Sequence, residues 1–444
     1  MAQPMSMTAS DVEFDEATDE QLQIVWELPT QGWEASIPKE DYMEREKYLA
    51  QLELNRDSRT QHWVLYLKGY PRQVIASCQS TRRPVLISDG FGEPARQGHA
   101  YSVSNVYTSS PYRRQGMAAY LLCRLQVQMD LDGACSVLYS NSGPRYYDAL
   151  GWKSIDSQQA TLTLLSRSHL GSPTLPSPCR TVPIKESELP DLCQKDQLRL
   201  TKTFNCLPVD GKTHFTFLPT YPEISWHLAR AKFDAQKTQP ATNGTNDTDG
   251  TDNTNGINGI NGINGTNGSD STGHIDDTNS TDSTSHTDST DDTSHSSTSN
   301  DTTPPLPTLT PGAITLSRRT WILWTHDWRD KRLRILRIPR LCDDENEEVR
   351  AGLVAPREQD VDDVEALLEA AVAEADRCGL SKVVVWNPDD AVRAACKGLA
   401  DKNVEGVKLV FEGCLDGGRP LVRARGGKKV PAVVWEENYG YCWC

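Results

Sequence analysis

The sequence predicts a mixed α/β (α+β) protein of two folded domains, the second interrupted by a long insertion. Three observations carry that prediction. Stretches of alternating apolar residues are interleaved with stretches of helical spacing, which is the pattern of strands and helices in one sheet-based architecture. A Pro/Ser/Gly-rich connector, SRSHLGSPTLPSPC at 166–179, separates two such regions. Hydrophobic residues make up only 37% of the 444, too few for a chain folded throughout, so a diluting segment has to exist.

The elements of the first domain, 12–165, follow in order. Helical spacing covers Asp19 to Leu28 and Lys39 to Asn55, and alternation then predicts strands at His62–Lys68, Gln73–Ser80 and His99–Thr108. A helix from about Gly116 to Leu131 places Leu121, Leu122, Leu125 and Met129 on one face. A strand at Ala134–Ser140 leads to a short helix, Pro144 to Leu150, where Pro suits the first turn and Gly151 the stop. Residues 1–11 are expected to be a flexible N-terminus.

The diluting segment is 239–303, which repeats Asn, Gly, Thr, Ser and Asp and includes INGINGINGTNG at 257–268. Such a composition buries too little apolar area to offset its chain entropy, so it is expected to be a disordered insertion. Sequons at Asn243, Asn246, Asn264, Asn267, Asn279 and Asn300 matter only in a secreted chain; repeat expansion explains them otherwise. Loop closure grows slowly with length, so the flanks, 180–238 and 304–444, can form one second domain. Within it the helix Asp363–Cys378 carries Val364, Leu367, Leu368, Ala371 and Ala375 at helical spacing, ahead of a strand at Lys382–Trp386.

Charge narrows the function. The formal net charge is −15, but between Lys237 and Arg318 there are eleven Asp and no Glu, Lys or Arg. Removing them from 61 acids leaves 50 against 46 bases, so the folded remainder is close to neutral and offers no basic field for nucleic acid. No apolar run approaches the ~20 residues that span a bilayer, and the acidic start is expected to be neither a signal nor a transit peptide. Twelve cysteines are scattered singly, which fits reduced thiols in the cytoplasm. Cys442 and Cys444 lack spaced partners and make a poor metal site, so no metal is expected.

The most informative passage is Val106-Tyr107-Thr108-Ser109-Ser110-Pro111-Tyr112-Arg113-Arg114-Gln115-Gly116-Met117-Ala118. A strand enters a short loop with two arginines and a glycine, and a helix begins at once. Unpaired N–H groups and the positive end of the helix dipole suit such a start to a pyrophosphate. Gly116 and Ala118 are small where backbone must approach a ligand, and Arg113 and Arg114 can add charge-assisted bonds. An ordinary turn with solvated arginines has the same pattern.

Two motifs together go further. Arg113-x-x-Gly116-x-Ala118 resembles the acetyl-CoA loop of the GNAT superfamily of N-acetyltransferases, Gln/Arg-x-x-Gly-x-Gly/Ala after a strand. Downstream, Tyr147-Asp148-Ala149-Leu150-Gly151-Trp152 is similar to the superfamily's Tyr-x-x-x-Gly-Phe motif, with Trp for Phe. The resemblance implies a splayed pair of strands ending at Thr108 and near Ser140, with acetyl-CoA in the gap. Val106 and Thr108 would pair with its pantetheine arm, Gln115, Gly116, Met117 and Ala118 would cradle its pyrophosphate, and Tyr147 would protonate the departing thiolate. Tyr147 as a plain core aromatic stays open. Transfer needs a neutral amine, hence a base. The strand 99–108 offers no acid, and His99, Glu34, Glu93 and the C-terminal carboxylate of Cys444 are the candidates.

The whole chain also resembles the fungal L-lysine N6-acetyltransferase family, which joins an N-terminal GNAT domain to a distantly GNAT-like C-terminal one. The likeness rests on Leu218-Pro219-Thr220, Trp226-His227-Leu228-Ala229-Arg230-Ala231, Trp321-x-x-Trp324-Thr325-His326-Asp327, Glu374-Ala375, Trp386-Asn387-Pro388 and the ending Tyr439-Gly440-Tyr441-Cys442-Trp443-Cys444. As residues alone, these tryptophans and histidines suit half-buried packing positions. The resemblance implies acetyl transfer from acetyl-CoA to the N6 amine of free L-lysine in lysine degradation. A polyamine, another small amine or a protein lysine is the nearest alternative acceptor, and a non-catalytic acetyl-CoA-binding scaffold the alternative of another class.

Overall fold

The computed structural model describes residues 7–28, 38–140, 144–165, 180–238, 308–341, 357–402, 406–413, 418–427 and 433–442. The expected insertion, 239–303, and the connector, 166–179, lie outside them. In chain order the first half forms β1 (Val12–Glu16), α1 (Asp19–Glu27), α2 (Lys39–Ala50), β2 (Thr60–Leu67), β3 (Tyr70–Ser88), β4 (Arg96–Thr108), α3 (Met117–Met129), β5 (Cys135–Ser140), α4 (Pro144–Ala149), β6 (Lys153–Ser154) and β7 (Gln158–Leu164). The second half forms β8 (Thr181–Pro183), α5 (Leu189–Asn205), β9 (Thr213–Phe217), α6 (Tyr221–Thr238), β10 (Gly312–Thr315), β11 (Trp321–Asp327) and β12 (Arg332–Arg337). It continues with α7 (Glu358–Arg377), β13 (Lys382–Trp386), α8 (Asp390–Lys402), β14 (Val407–Gly413), β15 (Arg419–Ala424), β16 (Val433–Trp435) and a turn at Gly440–Cys442. The fold is mixed α/β with two mixed sheets.

The first sheet is ordered β1-β2-β3-β4-β5-β15-β6, with β9 beside β3 and β16 beside β9; the second is β14-β7-β13-β12-β11-β10-β8. The halves therefore trade strands. Strand β7 leaves the first half to pair with β13 and β14, and β15 returns from the second half to pair with β5. The sequence boundary at 165 falls one residue beyond a strand that belongs to the second sheet, while β1 to β5 pair with one another within 12–165. Alternation within β7 and β15 marks them as strands but carries no information about which sheet takes them.

Local chemistry explains the elements that matter for the site. Thr18 and Gln21 form a capping box at the start of α1, each side chain bonded to the other's backbone N–H. Helix α3 buries Met117, Leu121, Leu122, Leu125 and Met129 against Trp63, Cys78, Tyr101, Val103 and Leu138 of the first sheet, each buried Leu contributing about 2 kcal/mol. Strand β3 runs eight residues past the expected end at Ser80, because β4 and β9 pair with the extension, Val85, Leu86 and Ile87 are buried there, and its two arginines find distant partners, Arg82 with Asp132 and Arg83 with Glu223. The helix expected to Asn55 ends at Ala50 and is followed by a separate turn, Glu53–Asn55. Of the expected flexible N-terminus, residues 1–6 lie outside the described ones. Residues 7–11 are placed: Met7 N–H donates to Gln115 Oε1, and Ala9–Asp11 form a 3-10 turn capped by Thr8.

Candidate active site

Strands β4 and β5 are parallel, and their register covers only Tyr101↔Ser136, Ser102↔Val137 and Val103↔Leu138. Beyond those pairs each continues alone toward its end, Thr108 on one side and Ser140 on the other, so the strands part in a V. Each lip is secured from outside. Antiparallel pairing with β3 carries β4 to Ala76↔Thr108, and pairing with β15 carries β5 to Arg419↔Ser140. The splay thus costs no ladder on the outer edges, and the inner edges are left for another partner. A register shift opposite Cys78, with Asn105 at φ 52°, twists β4 where the gap opens.

The loop after β4 is anchored by Ser109, whose N–H donates to Ile75 O at 2.9 Å and whose hydroxyl donates to Val74 O at 3.0 Å. Arg114 (φ 63°) and Gly116 (φ 81°) both take the left-handed conformation, and Gly116 caps α3 without a side-chain acceptor. The first backbone bond of the helix is Tyr120 N–H to Gly116 O. Among the described residues, the N–H groups from Arg114 to Ala119 have no acceptor. A Cβ built on Gly116 would meet nothing within 4 Å. Free donors around open space at a helix start form an anion-binding nest.

The predicted cofactor residues divide by what their side chains do. Val106 and Thr108 line the inner edge of β4. Met117 is buried in the core and fixes the helix start, while Ala118 is partly exposed. Gln115 is turned into the loop, its amide donating to Pro111 O and accepting from Met7. Arg113 is also turned back: Nε donates to Thr108 O at 2.9 Å, Nη2 donates to Tyr107 Oη at 3.0 Å, and its guanidinium lies over the Tyr107 ring. It holds the loop against β4, and it occupies the Thr108 carbonyl expected to face the ligand. Arg114 is exposed and, among the described residues, makes no bond.

Tyr147 is buried on α4, edge-on to Tyr146 and Trp152. Burial raises its pKa, a hydrogen bond with Ser140 opposes the rise, and Cys78 adds to it. The bond to Ser140 places the Tyr147 hydroxyl beside the end of β5, one lip of the V, while Cys78 lies on β3, across β4 from the gap. A phenol held above its usual range is protonated at neutral pH and is able to donate.

Of the candidate bases, the two that fall among the described residues, His99 and Glu93, lie elsewhere. His99 lies nine residues before Thr108, about 30 Å along the strand, and bonds Arg82 at 3.0 Å. Glu93 is exposed in the loop before β4, and Glu34 and Cys444 lie outside the described residues. A carboxylate that the sequence did not single out comes closer. The register aligns Thr60, Thr81 and Ser102 in one row and His62, Gln79 and Ser104 in the next, so β2, β3 and β4 present a polar face opposite α3. Arg83 lies on that face, donates to Ser102 Oγ at 2.9 Å, and is 3.6 Å from Glu223 of α6. Glu223 is 1% exposed, and neither of its carboxylate oxygens has a hydrogen-bond donor among the described residues. Its only sequence signal is a Glu in the first turn of a helix.

Metal-ligand residue types meet once among the described residues, at His326, Glu374 and Cys378. Glu374 already accepts from Arg377 at 2.8 Å, from His326 at 2.9 Å and from the Thr310 N–H at 3.3 Å. A cation there would have to displace the Arg377 guanidinium from Glu374, so the carboxylate is already paired, although His326 Nδ1 is buried without a partner among the described residues. No described helix is long and apolar enough to cross a membrane.

Comparison with known proteins adds the family. No curated protein sequence matches the chain. Among solved structures it is similar to a GCN5-related N-acetyltransferase from Anabaena variabilis, at 12% identity over 93% of this chain and 73% of that one, with a TM-score of 0.46. A GCN5-related N-acetyltransferase from Kribbella flavida aligns at 10% identity over 93% and 71%, TM-score 0.43. A GNAT family acetyltransferase from Brucella melitensis in complex with acetyl-CoA aligns at 19% identity over 32% and 83%, TM-score 0.23. The family described as the LYC1 GNAT-like C-terminal domain matches residues 171–444, more than half of the sequence. With that match covering the second half, the chain belongs to the LYC1 GNAT-like family and is a GNAT-type N-acetyltransferase.

Proposed function

We propose that the protein transfers the acetyl group of acetyl-CoA to the N6 amine of free L-lysine by direct attack in a ternary complex, as a step of lysine degradation. The observation that carries the reading is the V between β4 and β5, with free loop donors at one end and Tyr147 at one lip. In this reading the inner edge of β4 at Val106 and Thr108 pairs with the pantetheine arm. The N–H groups of Gln115, Gly116, Met117 and Ala118, with the Arg114 side chain, hold the pyrophosphate, while Arg113 positions the loop. Tyr147 holds the proton for the thiolate. The second half covers the polar face of β2, β3 and β4 and closes one side of the acceptor site. The family's LYC1 description and the whole-chain resemblance support lysine as acceptor. The domains are proposed as 12–165 for acetyl-CoA and 180–238 with 304–444 as its GNAT-like partner, joined by the traded strands.

The test is release of CoA thiol from acetyl-CoA with free L-lysine, spermidine or a histone-tail peptide as acceptor. Lysine-dependent release with product modified at N6 is expected. Turnover only on another amine would replace the substrate, and acetyl-CoA binding without turnover on any amine would favour a scaffold.

A further inference from the structure

We propose that Glu223 is the base that deprotonates the acceptor amine, an assignment that rests on the acetyl-transfer reading above. Among the described residues, strands β4 and β5 carry no Asp or Glu. On the side facing the second half, β4 offers Ser102 and Ser104, and the last paired residues before the gap are Val103 and Leu138. The second half inserts a carboxylate at that level. Arg83 bridges the two, donating to Ser102 through Nε and facing Glu223 through Nη1 at 3.6 Å. Glu223 therefore lies one guanidinium away from the strand residue at the base of the gap.

Two features mark this carboxylate as more than a structural partner of Arg83. Buried carboxylates in folded proteins are almost always hydrogen-bonded, yet both oxygens of Glu223 lack a donor among the described residues. An ammonium or a water delivered to the polar face would supply one. The ionisation also suits a proton acceptor, because burial pushes the Glu223 carboxyl up to about 7, against the pull of Arg83 and Arg59. A base is most effective with its pKa near the working pH.

The proton balance closes. The carboxylate of Glu223 takes one proton from the alkylammonium, directly or through one water, and passes it to solvent. The neutral nitrogen adds to the thioester carbonyl, the C–N bond forms, and the C–S bond breaks. Tyr147 gives its proton to the departing sulfur and is reprotonated, through solvent, by the second proton shed from the nitrogen as the amide forms. One ammonium and one thioester give one amide, one thiol and one proton.

The groups facing Glu223 do not titrate with it. Arg83 comes from β3, Arg59 precedes β2, Cys193 lies on α5, and Tyr441 and Cys442 belong to the C-terminal turn. Burial pushes Cys193 up to about 12 and raises Tyr441 and Cys442 well above their usual values. On Glu223's own helix, burial lowers His227 to about 3. A rate limb near pH 7 therefore belongs to Glu223.

The experiment compares wild type with E223Q in the full-length chain, following thiol release with saturating acetyl-CoA from pH 5.5 to 9 (roughly the range that brackets a base poised near neutrality). The expected result is a fall in kcat of roughly 100-fold with unchanged acetyl-CoA affinity, and loss of the limb in which wild-type kcat/KM rises through neutral pH. If E223Q is destabilised, E223D, which keeps the charge beside Arg83, carries the test: reduced kcat with the limb retained supports the base, and wild-type kcat overturns it. Lysine turnover by wild type matched by a folded E223Q overturns the base and leaves the acetyl-transfer reading intact. A wild type that acetylates no amine overturns both. Dependence on Glu223 with some amine other than lysine supports the base and changes only the substrate.

Discussion

Both halves of the molecule contain a parallel strand pair flanked by a strand borrowed from the other half, yet among the described residues only one pair opens toward a helix start. In the first sheet β4 and β5 part after Val103↔Leu138, and the loop to α3 ends in Gly116 with its neighbouring N–H groups free. In the second sheet β12 and β13 pair over Arg332↔Lys382 to Arg334↔Val384, and the C-terminal turn fills the space beyond. A Cβ on Gly440 would come within 3.4 Å of Arg334 Cδ and 3.5 Å of Ile335 O, and the Arg334 guanidinium lies over the Trp386 ring. Helix α7 starts with Glu358 and Asp360 behind Arg357, so its positive end faces acids of its own chain. An open V with a glycine-capped helix is equipped for an anionic cofactor, whereas a filled V with an acidic helix start is a core.

The largest effect that probes this contrast comes from removing the filling. Truncation after Glu437 deletes Tyr439, Tyr441 and Cys442, all buried, and is expected to lower the unfolding free energy by about 5 kcal/mol or more, on the scale of losing large core side chains. A urea midpoint equal to that of the intact chain would mean the second V does not depend on its plug. Next comes the chemistry at the open V. Tyr147→Phe is expected to reduce kcat about 100-fold while leaving acetyl-CoA affinity unchanged, and full activity in this variant would return Tyr147 to a packing role.

The smallest effect is a change of pH slope. His227 is buried with Nε2 at 2.8 Å from Tyr441 O, and burial holds its pKa near 3, below the ordinary 6.5. A depressed folded pKa gives stability that is present above 6.5 and lost as pH falls toward 3. His227→Gln, which keeps an N–H for the Tyr441 carbonyl, is expected to lose less stability than wild type between pH 6.5 and 4. Parallel slopes in chemical denaturation would show that His227 does not contribute this acid sensitivity.

The features legible in the sequence were local ones. The loop from Val106 to Ala118, helix α3, strand β13 and the Tyr147 motif declare themselves through short-range spacing, because cap, glycine and apolar stripe all lie within a few turns. The features that escaped depend on partners far along the chain. The extension of β3 past Ser80 draws on β4, β9, Asp132 and Glu223, and the exchange of β7 and β15 needs sheets formed from both halves. Arg113 was legible as a cation near the loop, but its recruitment by Thr108 and Tyr107 arises from how the loop folds back on β4. Glu223 falls between the landmarks Leu218-Pro219-Thr220 and Trp226-His227-Leu228-Ala229-Arg230-Ala231 but belongs to neither; only its burial against Arg83, without a donor, distinguishes it.

The central claim is that one V of the two binds acetyl-CoA, through the helix start at Gly116. Calorimetric titration of acetyl-CoA into wild type and Gly116→Asp tests it most directly, because the added carboxylate enters space that is open in the protein, at a backbone strain of only about 1–2 kcal/mol. The prediction is one site per chain in wild type and loss of binding in a folded Gly116→Asp. Unchanged affinity in that variant, or two sites in wild type, would contradict the account.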